Sequence, residues 1–129
     1  MNTLKNDMKN LGRLKGRSDF LRVRDSGQKW VSNSVIVQKA AGKGAHDRFG
    51  VTVTKRLEKS AVRRNRMKRR LRAAAYDIIA AKGGGAAAGA ISDYVLIARK
   101  ETATNDYASL KKDLGWCLKR LSTKNETAS

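Results

Sequence analysis

The sequence predicts a single domain with a mixed core of sheet and helix, and three observations lead there. Val, Ile and Leu recur in three separated blocks. The length of 129 residues suits one core. The apolar spacing also switches from strand alternation to a helical period just after Lys55. The folded part is expected over 13–121, between a flexible basic arm at 1–12 and a flexible tail at 122–129.

The elements follow in chain order. Ser18 and Asp19 supply cap chemistry ahead of Phe20, Leu21 and Val23, and Gly27 supplies a stop, so a short helix is expected near 18–26. The β-branched, proline-free segment KWVSNSVIVQKA from Lys29 to Ala40 favours extended structure, and AAGKGAHD follows as a loop. RFGVTVTK then alternates, with Phe49, Val51 and Val53 on one face and Gly50, Thr52 and Thr54 on the other, which predicts a hairpin or meander.

From Lys55 to Arg72 ten of eighteen residues are Lys or Arg, against one acid, Glu58. The stretch reads as one helix that binds a polyanion. On a helical wheel Met67, Leu71, Ala74, Ala75 and Ile78 share one apolar sector, and Asn65, Arg66, Lys68, Arg69 and Arg72 fall opposite. Arg63, Arg64 and Arg70 flank the seam, where their stems can cover the core edge. Alanines carry the helix to about Ala81, and Gly83, Gly84 and Gly85 end it in a low-complexity connector, KGGGAAAGAIS.

The run DYVLIARK from Asp93 to Lys100 is apolar on both faces and reads as a central strand. Asn105 or Asp106 then caps a last helix whose stripe is Tyr107, Leu110, Leu114, Cys117, Leu118 and Leu121. Trp30 and Tyr94 read as core or sheet residues. Cys117, the one cysteine, has no partner for an internal disulfide and reads as a buried structural thiol.

A formal charge of +18 on this length repels itself unless a polyanion compensates, which favours nucleic acid over a membrane surface or a small-molecule substrate. No apolar run reaches the roughly 18 residues of a spanning helix. The first twenty residues lack the apolar centre of a secretory signal, so the cytoplasm is the expected compartment. His46 has no second histidine, and neither a metal site nor a nucleophile with its base can be assembled from these residues. A solvated surface face is the bland reading of the basic run. Against it, ten mutually repelling cations have only Glu58 and Asp77 close in sequence to offset them.

A strand VTVTK leading into AVRRNRMKRRLR resembles the signature of the bacterial ribonuclease P protein subunit. The likeness runs through Lys55, Ala61, Val62, Arg64, Asn65, Arg66, Lys68, Arg69 and Arg72. It extends to Asp19–Phe20 in an early helix, Gly27 before the first strand, Phe49–Gly50 opening the next, and the late YVLIARK. Roughly residues 12 to 121 can be matched, with the Gly-Ala connector as a variable insert.

The resemblance implies an α+β fold: a helix, three antiparallel strands, the basic helix, a further strand and a last helix. It also implies a left-handed strand-helix-strand crossover like that of some ribosomal protein domains, against the general right-handed rule. It further implies that a catalytic RNA subunit, with bound magnesium, hydrolyses the 5′ leader from precursor tRNA, while the protein binds RNA and contributes no catalytic residue. By the same resemblance, Arg64, Asn65, Arg66, Lys68, Arg69 and Arg72, with Lys55 and Arg56 at the junction, face that RNA. Phe20 and Arg24 line a cleft for the single-stranded leader.

This chain departs from the family pattern in three places. Arg24 stands where a second aromatic is usual, so charge replaces stacking there. Leu57, Glu58, Lys59 and Ser60 replace a short Gly-Asn turn, with Ser60 placed to cap the helix, and AAAYD after Arg72 lacks the usual Glu. Simple core packing is the competing reading of Phe20. A ribosomal or chaperone-type structural RNA-binding protein is the competing reading of the whole chain.

Overall fold

The computed structural model describes residues 11–26, 28–80 and 91–128, with side chains to residue 122. Five strands make one sheet: β1 (Leu11–Arg13), β2 (Gln28–Val31), β3 (Val35–Ala41), β4 (Asp47–Thr52) and β5 (Ser92–Ala98), in the order β1–β4–β5–β3–β2. Four helices accompany them among the described residues: α1 (Arg17–Asp25), α2 (Ala61–Ile78), α3 (Lys100–Thr104) and α4 (Tyr107–Ala128). The fold is the expected single α+β domain.

The strand read as apolar on both faces is the middle one. β5 pairs antiparallel with β3, Val37 opposite Leu96, and parallel with β4, Val51 opposite Leu96. That placement corrects the expected hairpin or meander between β3 and β4, which are not neighbours. A strand with Val95 and Leu96 on opposite faces, both buried, belongs where both faces are covered. The extended stretch from Lys29 to Ala40 is also two strands rather than one. Ser32 turns the chain, its Oγ donating to the Val35 carbonyl at 2.6 Å, and β2 and β3 pair as a hairpin.

One face of the sheet carries the main core, with Val35, Val37, Phe49 and Leu96 from the strands, Met67 and Leu71 from α2, and Leu110, Leu114, Cys117 and Leu121 from α4. Leu71, Leu96, Leu110 and Leu114 have no exposed surface, and each contributes about 2 kcal/mol of burial. α2 lies over β4 and β5, and α4 over β3 and β2. The other face holds a smaller cluster of Leu14, Val23, Ala40 and Val95, with Phe20 and Ile97 packed against it, where α1 sits on β3 and β5.

Several boundaries differ from expectation. The basic arm was expected to reach residue 12, but Leu11 is buried, and Leu11–Arg13 pairs in parallel with β4. Two buried leucines, Leu11 and Leu14, anchor that segment, and a three-residue strand is too short to show a period. Ser18 and Asp19 do not cap α1: its N-cap is Gly16, which makes no side-chain bond, and Asp19 turns to Arg22 instead. α4 is helical through Ala128, so the tail expected from 122 is helix. α3 was not foreseen. Its Thr102 is fully buried, with its hydroxyl donating to the Ser34 carbonyl and accepting from the Arg99 amide at 2.9 Å. Gly27, Gly83, Gly84, Gly85 and residues 1–10 lie outside the described residues.

Candidate nucleic-acid interface

The basic helix begins later than the charge run. Lys55 and Arg56 are exposed in a turn closed by Thr54, whose carbonyl accepts the amides of Leu57 at 3.2 Å and Glu58 at 3.1 Å. This corrects the reading of Lys55–Arg72 as one helix. Ser60 is the N-cap, its Oγ accepting the Arg63 amide at 3.3 Å. From Ala61 the wheel divides as expected: Met67, Leu71, Ala74 and Ala75 are buried, and Ile78 is half-buried.

The cations of this helix fall into two groups. Arg64 and Arg70 are half-buried and serve the fold. Arg64 Nη1 donates to the carbonyls of Glu58 at 2.9 Å and Lys59 at 2.8 Å, binding the preceding turn to the helix. Arg70 Nε donates to the Thr102 carbonyl at 3.0 Å and Nη2 to that of Asn105, securing the α3–α4 junction. Asn65, Arg66 and Arg69 are exposed, and Lys68 and Arg72 half-exposed. Asn65, Arg69 and Arg72 recur at i, i+4 and i+7, which puts them on one stripe.

Among the described residues none of Arg66, Lys68, Arg69 and Arg72 is ion-paired. Asp77, the one acid of the helix, is engaged by α4. It accepts from the Tyr107 hydroxyl at 2.7 Å, and Lys111 Nζ lies 3.8 Å away. Burial and then that hydrogen bond raise the Tyr107 pKa. A rigid stripe of uncompensated guanidinium and ammonium groups matches the spaced oxygens of a folded phosphate backbone.

The second predicted surface lies on the opposite sheet face. The Phe20 ring is seated on Gly50, so close that a Cβ there would lie 2.6 Å from Cε2 and nearer still to Cζ. The ring is half-buried: it packs in the smaller cluster and keeps one side open. Arg24 is exposed one turn on and pairs with Asp25 at 3.2 Å. Beside α1, Ile36, Gln38, Thr52 and Ile97 form an uncovered, half-exposed floor.

An ion network that the sequence reading missed holds α1 over this floor. Asp93, with no exposed surface, binds Arg48 through Nε at 3.1 Å and Nη2 at 2.8 Å, and also binds Arg22 of α1. Asp19 stands 3.5 Å from Arg22 and 3.6 Å from Arg48. Burial alone would push the Asp93 carboxyl up. The hydrogen bonds and charges of Arg48 and Arg22 outweigh it and hold the group below the usual carboxylate range. An acid on the sheet face that α1 covers was the available signal.

Cys117 is buried as expected, and burial raises its thiol pKa. Among the described residues no group of three or more His, Cys, Asp or Glu is placed to hold a metal ion. Asp19 and Asp93 are bound to arginines, which does not make an oxygen cage for a hard cation. No described helix is long and apolar enough to cross a membrane.

Residues 8–122 match the family model described as Ribonuclease P. The chain is 42% identical over 122 residues to the ribonuclease P protein component of Paramagnetospirillum magneticum, covering 91% of this chain and 87% of that one. It is 34% identical over 114 residues to the ribonuclease P protein component of Bacillus mycoides, with 88% and 93% covered. The fold is similar to that of the Staphylococcus aureus RNase P protein, with a TM-score of 0.65 at 26% identity over 83% of this chain and 92% of that one. The Thermotoga maritima RNase P protein shares the fold at a TM-score of 0.61, covering 79% of this chain and 90% of that one.

Proposed function

The chain belongs to the ribonuclease P protein family, and from that premise we propose how this subunit of a tRNA-processing endoribonuclease acts. The exposed stripe of α2 docks the catalytic RNA. The observation that carries this reading is the set Asn65, Arg66, Lys68, Arg69 and Arg72, presented on a helix that Met67 and Leu71 fix to the core and whose cations lack acidic partners among the described residues. Lys55 and Arg56 extend the same positive surface from the Thr54 turn. Arg64 supports that turn, with its Nη1 already committed to two carbonyls.

The single-stranded 5′ leader of precursor tRNA lies along the open sheet face beside α1. The Phe20 ring offers a stacking edge there and Arg24 a charge for the backbone, which suits a leader of varied sequence. In this reading magnesium and the hydrolytic step belong to the RNA subunit. The protein's part is to neutralise phosphate repulsion between RNA and substrate.

The test is reconstitution with the cognate RNA subunit. Added protein should allow precursor cleavage at a magnesium concentration where the RNA alone is inactive. Absence of stimulation across a full magnesium titration would overturn the reading. Phe20→Ala should weaken binding of precursor tRNA but not of mature tRNA, which separates leader contact from RNA docking.

A further inference from the structure

α4 has two flanks of different character. On the α2 side Lys111 reaches Asp77, and Gly115 lies against Ile78. On the other side Asp113 accepts from the Ser34 hydroxyl at 2.6 Å, and Trp116 and Arg120 stand over β2, the edge strand that among the described residues pairs with β3 alone.

Trp116 is one of three large apolar residues in the described structure with substantial exposure, at 43%. Its ring meets that of Trp30 edge to face, with centroids 5.6 Å apart and planes 72° from parallel. The Arg120 guanidinium carbon lies 5.6 Å from the Trp116 centroid and 5.9 Å from that of Trp30. Arg120 is exposed, and so are Lys112 and Lys119, which stand at i−4 and i+3 from Trp116. Core packing explains Trp30. It does not explain an indole left nearly half in water beneath a guanidinium and flanked by lysines.

We propose that Trp116, with Trp30 and Arg120, forms a stacking platform for unpaired RNA, a third RNA-binding surface distinct from the α2 stripe and from the open sheet face. An exposed indole offers a flat apolar face that any base can cover, and a guanidinium beside it stacks in the same way. Lys112 sets positive charge where the adjoining phosphates would run. A second apolar protein surface is the less suitable occupant, because a charged ring around the indole favours a polyanion. The surface lies across α4 from α2, so RNA docked on α2 leaves it free for another segment.

Trp30 and Trp116 are the protein's two tryptophans, so its indole emission reports on this cluster alone. The experiment titrates the full chain with an oligouridylate of about ten nucleotides, within the span such surfaces cover. The expected result is saturable quenching that persists in an Arg66→Ala/Arg69→Ala background. It should also persist in Trp30→Phe, where Trp116 is the sole indole. In the Arg66→Ala/Arg69→Ala background, anisotropy of a labelled oligouridylate should show Trp116→Leu weakening binding about tenfold, within the range of one stacked base. Arg120→Gln should weaken it severalfold, and because that side chain is exposed it serves even if an indole variant fails to fold.

Emission unchanged at saturating oligonucleotide would overturn the proposal. So would quenching that vanishes with the α2 substitutions, which would assign the signal to α2, or emission that follows protein concentration but not RNA, which would make the partner a second copy. The outcome is independent of the cleavage assay. A protein that fails to stimulate cleavage yet quenches at Trp116 sinks the docking reading and leaves this one standing.

Discussion

Replacing Gly50 by Ala tests whether the Phe20 ring is held where the leader is proposed to pass. A Cβ at this position would lie 2.6 Å from Cε2, and ordinary contact begins at 3.4 Å, so the ring has to retreat by at least 0.8 Å. The obstructing atoms are the far end of a half-buried side chain, so the ring swings toward solvent and the sheet stays in place. Lost packing against Val95 and its neighbours should cost about 1–2 kcal/mol, at the lower end of overpacking penalties. In a Phe20→Ala background the same Gly50→Ala change meets open space and removes a flexible glycine from a strand. It should then be neutral or stabilising by up to about 1 kcal/mol. A double-mutant cycle by urea denaturation should therefore give a coupling near 2 kcal/mol. Affinity for precursor tRNA should fall in Gly50→Ala while affinity for mature tRNA holds. Equal destabilisation by Gly50→Ala in both backgrounds would refute the seat of Phe20 on Gly50.

Arg66→Ala with Arg69→Ala should leave the fold intact and lower the salt slope of RNA binding by about two, one per lost phosphate contact; an unchanged slope in a salt titration would remove α2 from the interface. Asp93→Asn should destabilise by about 3 kcal/mol, the lower end for a broken buried pair because Arg22 and Arg48 keep 24% and 23% side-chain exposure. Because its folded pKa is depressed, Asp93 stabilises fully above the unfolded value of about 3.9, and that contribution fades as pH falls through the folded value. The Asn variant should accordingly lose less stability than wild type when denaturation is followed from about pH 5 downward. Ser60→Ala should cost about 1 kcal/mol of thermal stability through loss of the α2 cap, and Ser60→Asp should restore it.

The elements carried by a long period were readable. Met67, Leu71, Ala74 and Ala75 repeat at helical spacing over several turns, and the Leu110–Leu121 stripe does the same, so their burial followed from spacing alone. Short or non-periodic features were not. Leu11–Arg13 is a strand because Leu11 and Leu14 find the sheet edge, which three residues cannot announce. Charge density located the cationic helix but could not sort its members, since Arg64 and Arg66 look alike in sequence. Only the fold directs Arg64 to the carbonyls of Glu58 and Lys59. Asp93 was legible as a strand residue but not as the hub of an ion network, because Arg22 and Arg48 come to it from 71 and 45 residues away.

The central position of β5 has a consequence for how the chain acquires its shape during synthesis. When residues up to 80 have left the ribosome, β2–β3 and β1–β4 are two separate strand pairs with no hydrogen bond between them. Their facing edges, on β3 and β4, stay open until residues 92–98 arrive and zip both at once. Contacts of such sequence separation form late and slowly, and open edges invite mispairing meanwhile. The cationic helix emerges before that closure. An RNA that engages α2 early would therefore meet a half-assembled sheet, so partner binding and completion of the fold are coupled in time.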